Sequence, residues 1–103
     1  MRVNKTSEYD RWFRRLRDLD SKFRIARYFQ RLEGGHSLTG DYKSVGGKVI
    51  EVRFHFGPGY RVYLTQVGEE VVLLLVGGDK STQQADIERA KGMAERLRKD
   101  VRK

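Results

Sequence analysis

The chain has no cysteine, one proline, two histidines and no apolar run longer than the six residues Val71 to Val76. Without cysteine there are no disulfides and no thiolate metal sites, which agrees with a reducing compartment. Six apolar residues fall far short of a membrane span. His36 and His55 are not at ligand spacing and no carboxylate cluster joins them, so the residues do not fit metal catalysis. The Walker loop, the nucleophile elbow and the dinucleotide fingerprint are all missing, and Gly57-Pro58-Gly59 reads as a hairpin turn rather than a phosphate loop. Met1 to Lys5 has no apolar segment behind it, so no signal peptide is expected. The expectation is a soluble cytoplasmic protein with no cofactor and no membrane partner.

Positive charge is abundant instead: 22 basic residues against 14 acidic ones, a net charge of +8. The excess lies in residues 1 to 47, with 11 basic against 6 acidic, and in residues 83 to 103, with 7 against 4, whereas residues 48 to 82 balance at 4 against 4. Such a surplus suits a polyanionic partner, nucleic acid or an acidic protein, and it also serves plain solubility. With 103 residues, 38% of them hydrophobic, the chain is expected to form one domain, 1–103, burying about 60–65% of its unfolded surface.

The central stretch is Lys48 to Thr82. Val49 to Phe56 alternates strictly, with Ile50, Val52, Phe54 and Phe56 on one side and Val49, Glu51, Arg53 and His55 on the other, the period of a half-buried strand. Tyr60 to Val67 reads as the returning strand. If Phe56 and Tyr60 close a three-residue loop, His55 faces Arg61, Arg53 faces Tyr63 and Glu51 faces Thr65. Gly68-Glu69 makes a second turn, and Val71 to Val76 has the uninterrupted apolar character of a strand covered on both faces. Lys80 follows in the segment leaving the sheet, near the end where Arg61 sits.

Around this core, Arg2 to Lys5 reads as a short edge strand. A first helix begins at Ser7 with a hydroxyl cap and carries Tyr9, Trp12, Phe13, Leu16 and Leu19 on its apolar stripe. A second runs from about Lys22 to Glu33, burying Ile25, Ala26, Phe29 and Leu32, and stops at Gly34-Gly35. Asp41 to Val45 is a short strand. The last helix opens at Ser81, which has capping-box spacing to Gln84, and buries Ile87, Ala90, Ala94, Leu97 and Val101; the tail RKDVRK is expected to fray. The class is α+β: two N-terminal helices packed on an antiparallel meander, then a C-terminal helix, with the helices on one side of the sheet.

The candidate site is the cationic patch Arg53, His55, Arg61, Tyr63 and Lys80, with Lys43 and Lys48 as further contacts for a phosphate backbone. RNA cleavage needs a base for the ribose 2′-hydroxyl, cations for the crowded phosphorane and an acid for the leaving 5′-oxygen. Arginine supplies a fork to two phosphate oxygens, and tyrosine or histidine can stack on a base or move a proton. Each residue also has an ordinary reading: Arg53 paired with Glu51 or stacked on Tyr63, His55 a passive neighbour, and Lys80, Lys43 and Lys48 exposed lysines.

Three segments, FRIARYFQRLEGG, GDYKSVGGKVIEVRFHFGPGYRVYL and LLLVGGDKSTQQADIERA, resemble the RelE/ParE superfamily of type II toxin–antitoxin toxins, in its HigB-like branch of phage-derived addiction-module killer proteins. The resemblance runs from about Ser7 to Leu97. It implies a microbial-RNase-like fold and a metal-independent endoribonuclease, an mRNA interferase that cuts message in the ribosome. It also implies a cognate antitoxin, often a helix-turn-helix protein, through which the complex reaches operator DNA. Arg61 matches the family's phosphate-stabilising arginine, Lys80 its basic position after the last strand, and Arg53 the basic residue of the preceding strand; His55 and Tyr63 rest on strand geometry alone. Where some relatives have lysines this chain has Val52 and Phe54, and the helix QQADIERAKGMAERL lacks their C-terminal tyrosine, which leaves the general base open. A ParE-like toxin that binds DNA gyrase shares the fold. A toxin that has lost activity and survives as an antitoxin-binding module is the third reading.

Overall fold

The computed structural model describes residues 1–69 and 71–101; Glu70, Arg102 and Lys103 lie outside it. The element order is β1 (Arg2–Lys5), α1 (Ser7–Arg15), α2 (Leu19–Glu33), β2 (Asp41–Gly46), β3 (Val49–Arg53), β4 (Arg61–Val67), β5 (Val71–Gly78), a 3-10 turn (Lys80–Thr82) and α3 (Gln83–Val101). The five strands form one sheet in the order β1-β5-β4-β3-β2. The meander β2 to β5 is antiparallel, but β1 joins β5 in parallel, so the sheet is mixed.

Helix starts are set by side chains that accept from otherwise orphaned backbone N–H groups. Thr6, rather than Ser7, caps α1: its Oγ1 accepts from the Tyr9 N–H at 3.0 Å and donates to the Leu75 carbonyl at 2.7 Å, tying the helix start to β5. Asp18 caps α2, accepting from the N–H groups of Asp20 and Ser21, so this helix begins at Leu19 and not near Lys22. Leu19 consequently leaves the apolar stripe of α1 and is exposed. Asp79, not Ser81, begins the last helical segment through a capping box with Thr82. The helix continues to Val101, so the tail expected to fray is helical over its first four residues, with Arg98 Nη1 donating to the Gly47 carbonyl at 3.1 Å; the Val101 side chain, Arg102 and Lys103 lie outside the described residues.

The helices do not share one side of the sheet. Even-numbered Val52, Phe54, Val62, Leu64, Val72 and Leu74 pack with Tyr9, Ile25, Phe29 and Leu32 of α1 and α2. Val49, Tyr63 and Leu75 face the other way, against Ala90 and Ala94 of α3. The molecule is therefore three layers, and α3 covers part of the surface expected to be open. The physical reason is the apolar stripe of α3 itself, which has no other face to bury against. The last two residues of β5 serve one layer each. A side chain on Gly77 would enter the Trp12 ring, and one on Gly78 would collide with the Asp86 carboxylate.

Among the described residues, no helix is long and apolar enough to cross a membrane.

Candidate active site

The β3–β4 hairpin closes differently from the three-residue expectation. Arg53 lies opposite Arg61, Glu51 opposite Tyr63 and Val52 opposite Val62, and the Phe54 N–H donates to the Tyr60 carbonyl at 2.9 Å. The loop is thus His55 to Gly59, and the register moves by two residues. A shift of two preserves every side chain's face but changes every partner. His55 leaves the ladder for the loop, and Arg53 and Arg61, two like charges, become direct cross-strand neighbours.

That juxtaposition is tolerated because only one of the two is neutralised. Glu51 is fully buried, and its Oε1 accepts from Arg53 Nε at 2.7 Å. Its Oε2 accepts from Tyr63 Oη at 2.8 Å and Gln83 Nε2 at 3.0 Å. Burial alone pushes the Glu51 carboxyl up, but the hydrogen bonds from Arg53, Tyr63 and Gln83 outweigh it and hold the group below the usual carboxylate range. Arg53 is held as a cation chiefly by the same hydrogen bond. Burial, then the carboxylate it donates to, pushes the Tyr63 phenol far above its ordinary value. Tyr63 therefore sits beneath the site as a fully buried donor to Glu51, out of contact with anything entering from solvent.

Arg61 is the other case. Its Nε and Nη1 are shielded from solvent and have no hydrogen-bond partner among the described residues. Left unmade, such hydrogen bonds cost about 1–3 kcal/mol each. The guanidinium lines a cleft of about 400 Å³ together with Arg53, His55, Tyr60, Lys80 and the Gly57-Pro58-Gly59 turn. Lys80, first residue of the 3-10 turn, is exposed and carries no ion pair among the described residues. Its Cβ would lie 3.5 Å from a side chain on Gly59, which sets it against the hairpin loop.

His55 occupies the rim, and its Nε2 is 2.8 Å from Asp41 Oδ2. The same carboxylate oxygen lies 4.0 Å from Arg53 Nη1, because Asp41 is the register partner of Arg53 on β2. Asp41 therefore fixes the histidine ring. With a proton on Nε2 directed at the carboxylate, the other ring nitrogen is left as an acceptor.

Of the seven residues singled out from the sequence, Arg53, His55, Arg61 and Lys80 meet at the cleft and Tyr63 underlies it. Lys43 is exposed on β2 opposite Glu51, away from the cleft lining. Lys48 is at the far end of the hairpin, where its carbonyl accepts from Thr65 Oγ1 at 2.7 Å. Asp41 and Gln83 were not expected in the site, whereas the Arg53–Glu51 pair is the ordinary reading of Arg53 from the sequence. Only the two-residue turn at Gly47-Lys48, which pairs β2 with β3, signals Asp41 in advance.

Residues 11–99 match the family described as Phage derived protein Gp49-like (DUF891). The chain is a member of the Gp49-like family. An uncharacterized protein of Haemophilus influenzae is 41% identical to it over 97 residues, 94% of this chain and 96% of that protein. No solved structure matches the chain. Membership in a phage-derived family agrees with the phage-derived side of the resemblance drawn from the sequence. In this Gp49-like chain, every residue of the cleft lies within the matched span.

Proposed function

We propose that this Gp49-like protein is the toxin of a type II toxin–antitoxin module and that it cleaves messenger RNA on the ribosome without a metal ion. The observation that carries the reading is Arg61, which lines the cleft while two nitrogens of its guanidinium, shielded from solvent, have no acceptor among the described residues. Buried polar groups are ordinarily satisfied, and an arginine held unsatisfied beside Lys80 is preorganised for an anion with two oxygens. Membership in a family associated with toxin–antitoxin modules supports the biological setting.

In this reading a phosphodiester seats in the cleft with its non-bridging oxygens on Arg61, and Lys80 adds charge as the phosphorane forms. His55, oriented by Asp41, takes the proton of the 2′-hydroxyl. The 2′-oxygen attacks phosphorus, the bond to the 5′-oxygen breaks and water protonates that oxygen, leaving a 2′,3′-cyclic phosphate and a 5′-hydroxyl. Arg53, neutralised by Glu51, holds Asp41 and the strand end in place. The cognate antitoxin, a helix-turn-helix protein in this reading, blocks the cleft and carries the complex to operator DNA.

Primer extension on a defined message in a translating extract tests this. Breaks inside the reading frame with the unmodified protein, missing with Arg61→Ala, are expected. Growth arrest with an intact message overturns the nuclease reading and points to DNA gyrase, which a supercoiling assay then examines.

A further inference from the structure

A second basic concavity lies on the opposite side of the hairpin loop from Lys80. It is a groove of about 360 Å³ between α2 and the loop His36 to Gly40, with Arg24, Arg27 and Arg31 along one wall and His36 on the other. The three arginines recur at intervals of three and four, so they form one row on the exposed face of the helix. The groove is held open by its floor: Tyr28 Oη donates to the Thr39 carbonyl at 2.9 Å and accepts from the Thr39 N–H at 3.2 Å. Phe23, 65% exposed, stands at the mouth.

Both walls lead to the rim of the cleft. The Arg24 guanidinium stacks on Phe56 of the hairpin loop, 4.6 Å from its ring centroid. The other wall runs through Gly40 into Asp41, which holds His55. Among the described residues Arg27 and Arg31 have no ion pair, and Arg24 has only a loose one, 3.9 Å to Asp20 with both side chains exposed. Between Arg11 and Arg31 seven of the eight basic residues are arginine, the side chain whose planar fork matches phosphate and stacks on bases.

We infer that this groove is a track for single-stranded RNA, binding the stretch of the same strand that continues past the GPG loop from the cleft. Arg24, Arg27 and Arg31 contact successive phosphates, and Phe23 offers a face for one base. The inference rests on the cleft being an RNA site and extends it.

The test is fluorescence anisotropy with labelled 2′-O-methyl tetrauridylate, which fills the cleft alone, and dodecauridylate, which also reaches the groove; neither can be cut. Arg27→Ala/Arg31→Ala is expected to weaken the dodecamer about tenfold and flatten its log–log salt slope by about 1.4, the share of two phosphates, with the tetramer unchanged. Arg61→Ala should weaken both lengths. Arg11→Ala/Arg15→Ala removes equal charge from exposed positions of α1 and should leave the dodecamer within about twofold of the parent. An unchanged dodecamer in the groove variant, or an equal loss in the α1 variant, overturns the track while leaving the cleft intact. Indifference of both lengths to Arg61→Ala overturns the cleft reading and the track with it. Loss of poly-glutamate binding with RNA binding retained assigns the groove to an acidic protein and overturns the track.

Discussion

The two faces of this sheet are made by alternate residues of the same strands, yet they differ in kind. The face under α1 and α2 is dry and aromatic: Tyr28, Phe29, Phe54 and Phe56 meet edge to face or tilted, with centroids 5.0 to 6.3 Å apart. The face under α3 contains a buried carboxylate, a buried phenol and an amide, joined in one hydrogen-bonded cluster that ends at Arg53. Dry packing makes the first face rigid, and the polar layer sets the charge of the second. Glu51 cancels one of two adjacent arginines and leaves the other unsatisfied at the cleft. A patch of five polar groups is thereby reduced to one prepared cation, with Lys80 beside it.

That contrast breaks most completely at Glu51. Replacing it by Leu leaves Arg53, Tyr63 and Gln83 without their acceptor, and the loss in unfolding free energy is expected to be about 3–5 kcal/mol in urea titrations. Adding Tyr63→Phe should recover part of it, since the phenol then needs no partner. Little recovery would mean that Arg53 alone accounts for the loss.

Arg61→Met separates function from stability. Toxicity or cleavage should fall by about 10²–10³-fold, as when one preorganised donor is removed from a transition state. The folded protein should gain about 1 kcal/mol, raising Tm by ~4–8 °C, because two unmade hydrogen bonds disappear. A lower Tm by calorimetry would show that the guanidinium is satisfied in solution.

A smaller effect is expected at the end of β5. Gly78→Ala puts a methyl group against Asp86 and 2.8 Å from Thr82 Oγ1, at a cost of about 1–3 kcal/mol. Asp86→Ala in the same chain should relieve most of it in thermal melts.

The smallest is in pH dependence, where the two buried carboxylates of the α3 face act with opposite sign. Glu51 is held low, so its contribution is present above its unfolded value near 4.3 and is lost as pH falls through its folded value. Asp86 is pushed up by burial, against the hydrogen bond from Thr82, so the folded state keeps its proton longer than the unfolded state does. Its effect is a loss of stability as pH rises from about 3.9 through its folded value. Asp86→Asn should remove that falling limb and raise stability at pH 7, read by urea unfolding across pH 3–8; a pH profile unchanged by the substitution would place the carboxyl in contact with solvent.

Much of the fold is legible in the residues. The strand alternation, the apolar run of β5, the aromatic stripes of α1 and α2 and the turns at Gly47, the GPG loop and Gly68 all follow from local periodicity and turn chemistry. Ends of elements are less so, because Thr6, Asp18 and Asp79 each have a neighbour of equal capping ability, and which one caps depends on where the helix docks. The hairpin register is missed by two because Gly57-Pro58-Gly59 suits loops of three or five residues alike, and the choice falls to packing of Phe54, Phe56 and Tyr60 under α2. In the site, Arg61, Lys80, Arg53 and His55 are visible as types in a pattern, but Asp41 and Gln83 come from a distant strand and a distant helix.

The sequence alone determined an α+β chain with a basic surface, a hairpin bearing the cationic residues and a family to which they belong, because periodicity, charge and motif are local properties. Only the tertiary structure decided which arginine is neutralised, since that depends on Glu51, Tyr63 and Gln83 meeting in a buried layer. Burial turns one ordinary ion pair into a fixed one and leaves Arg61, one strand away, with two donor nitrogens that have no acceptor among the described residues.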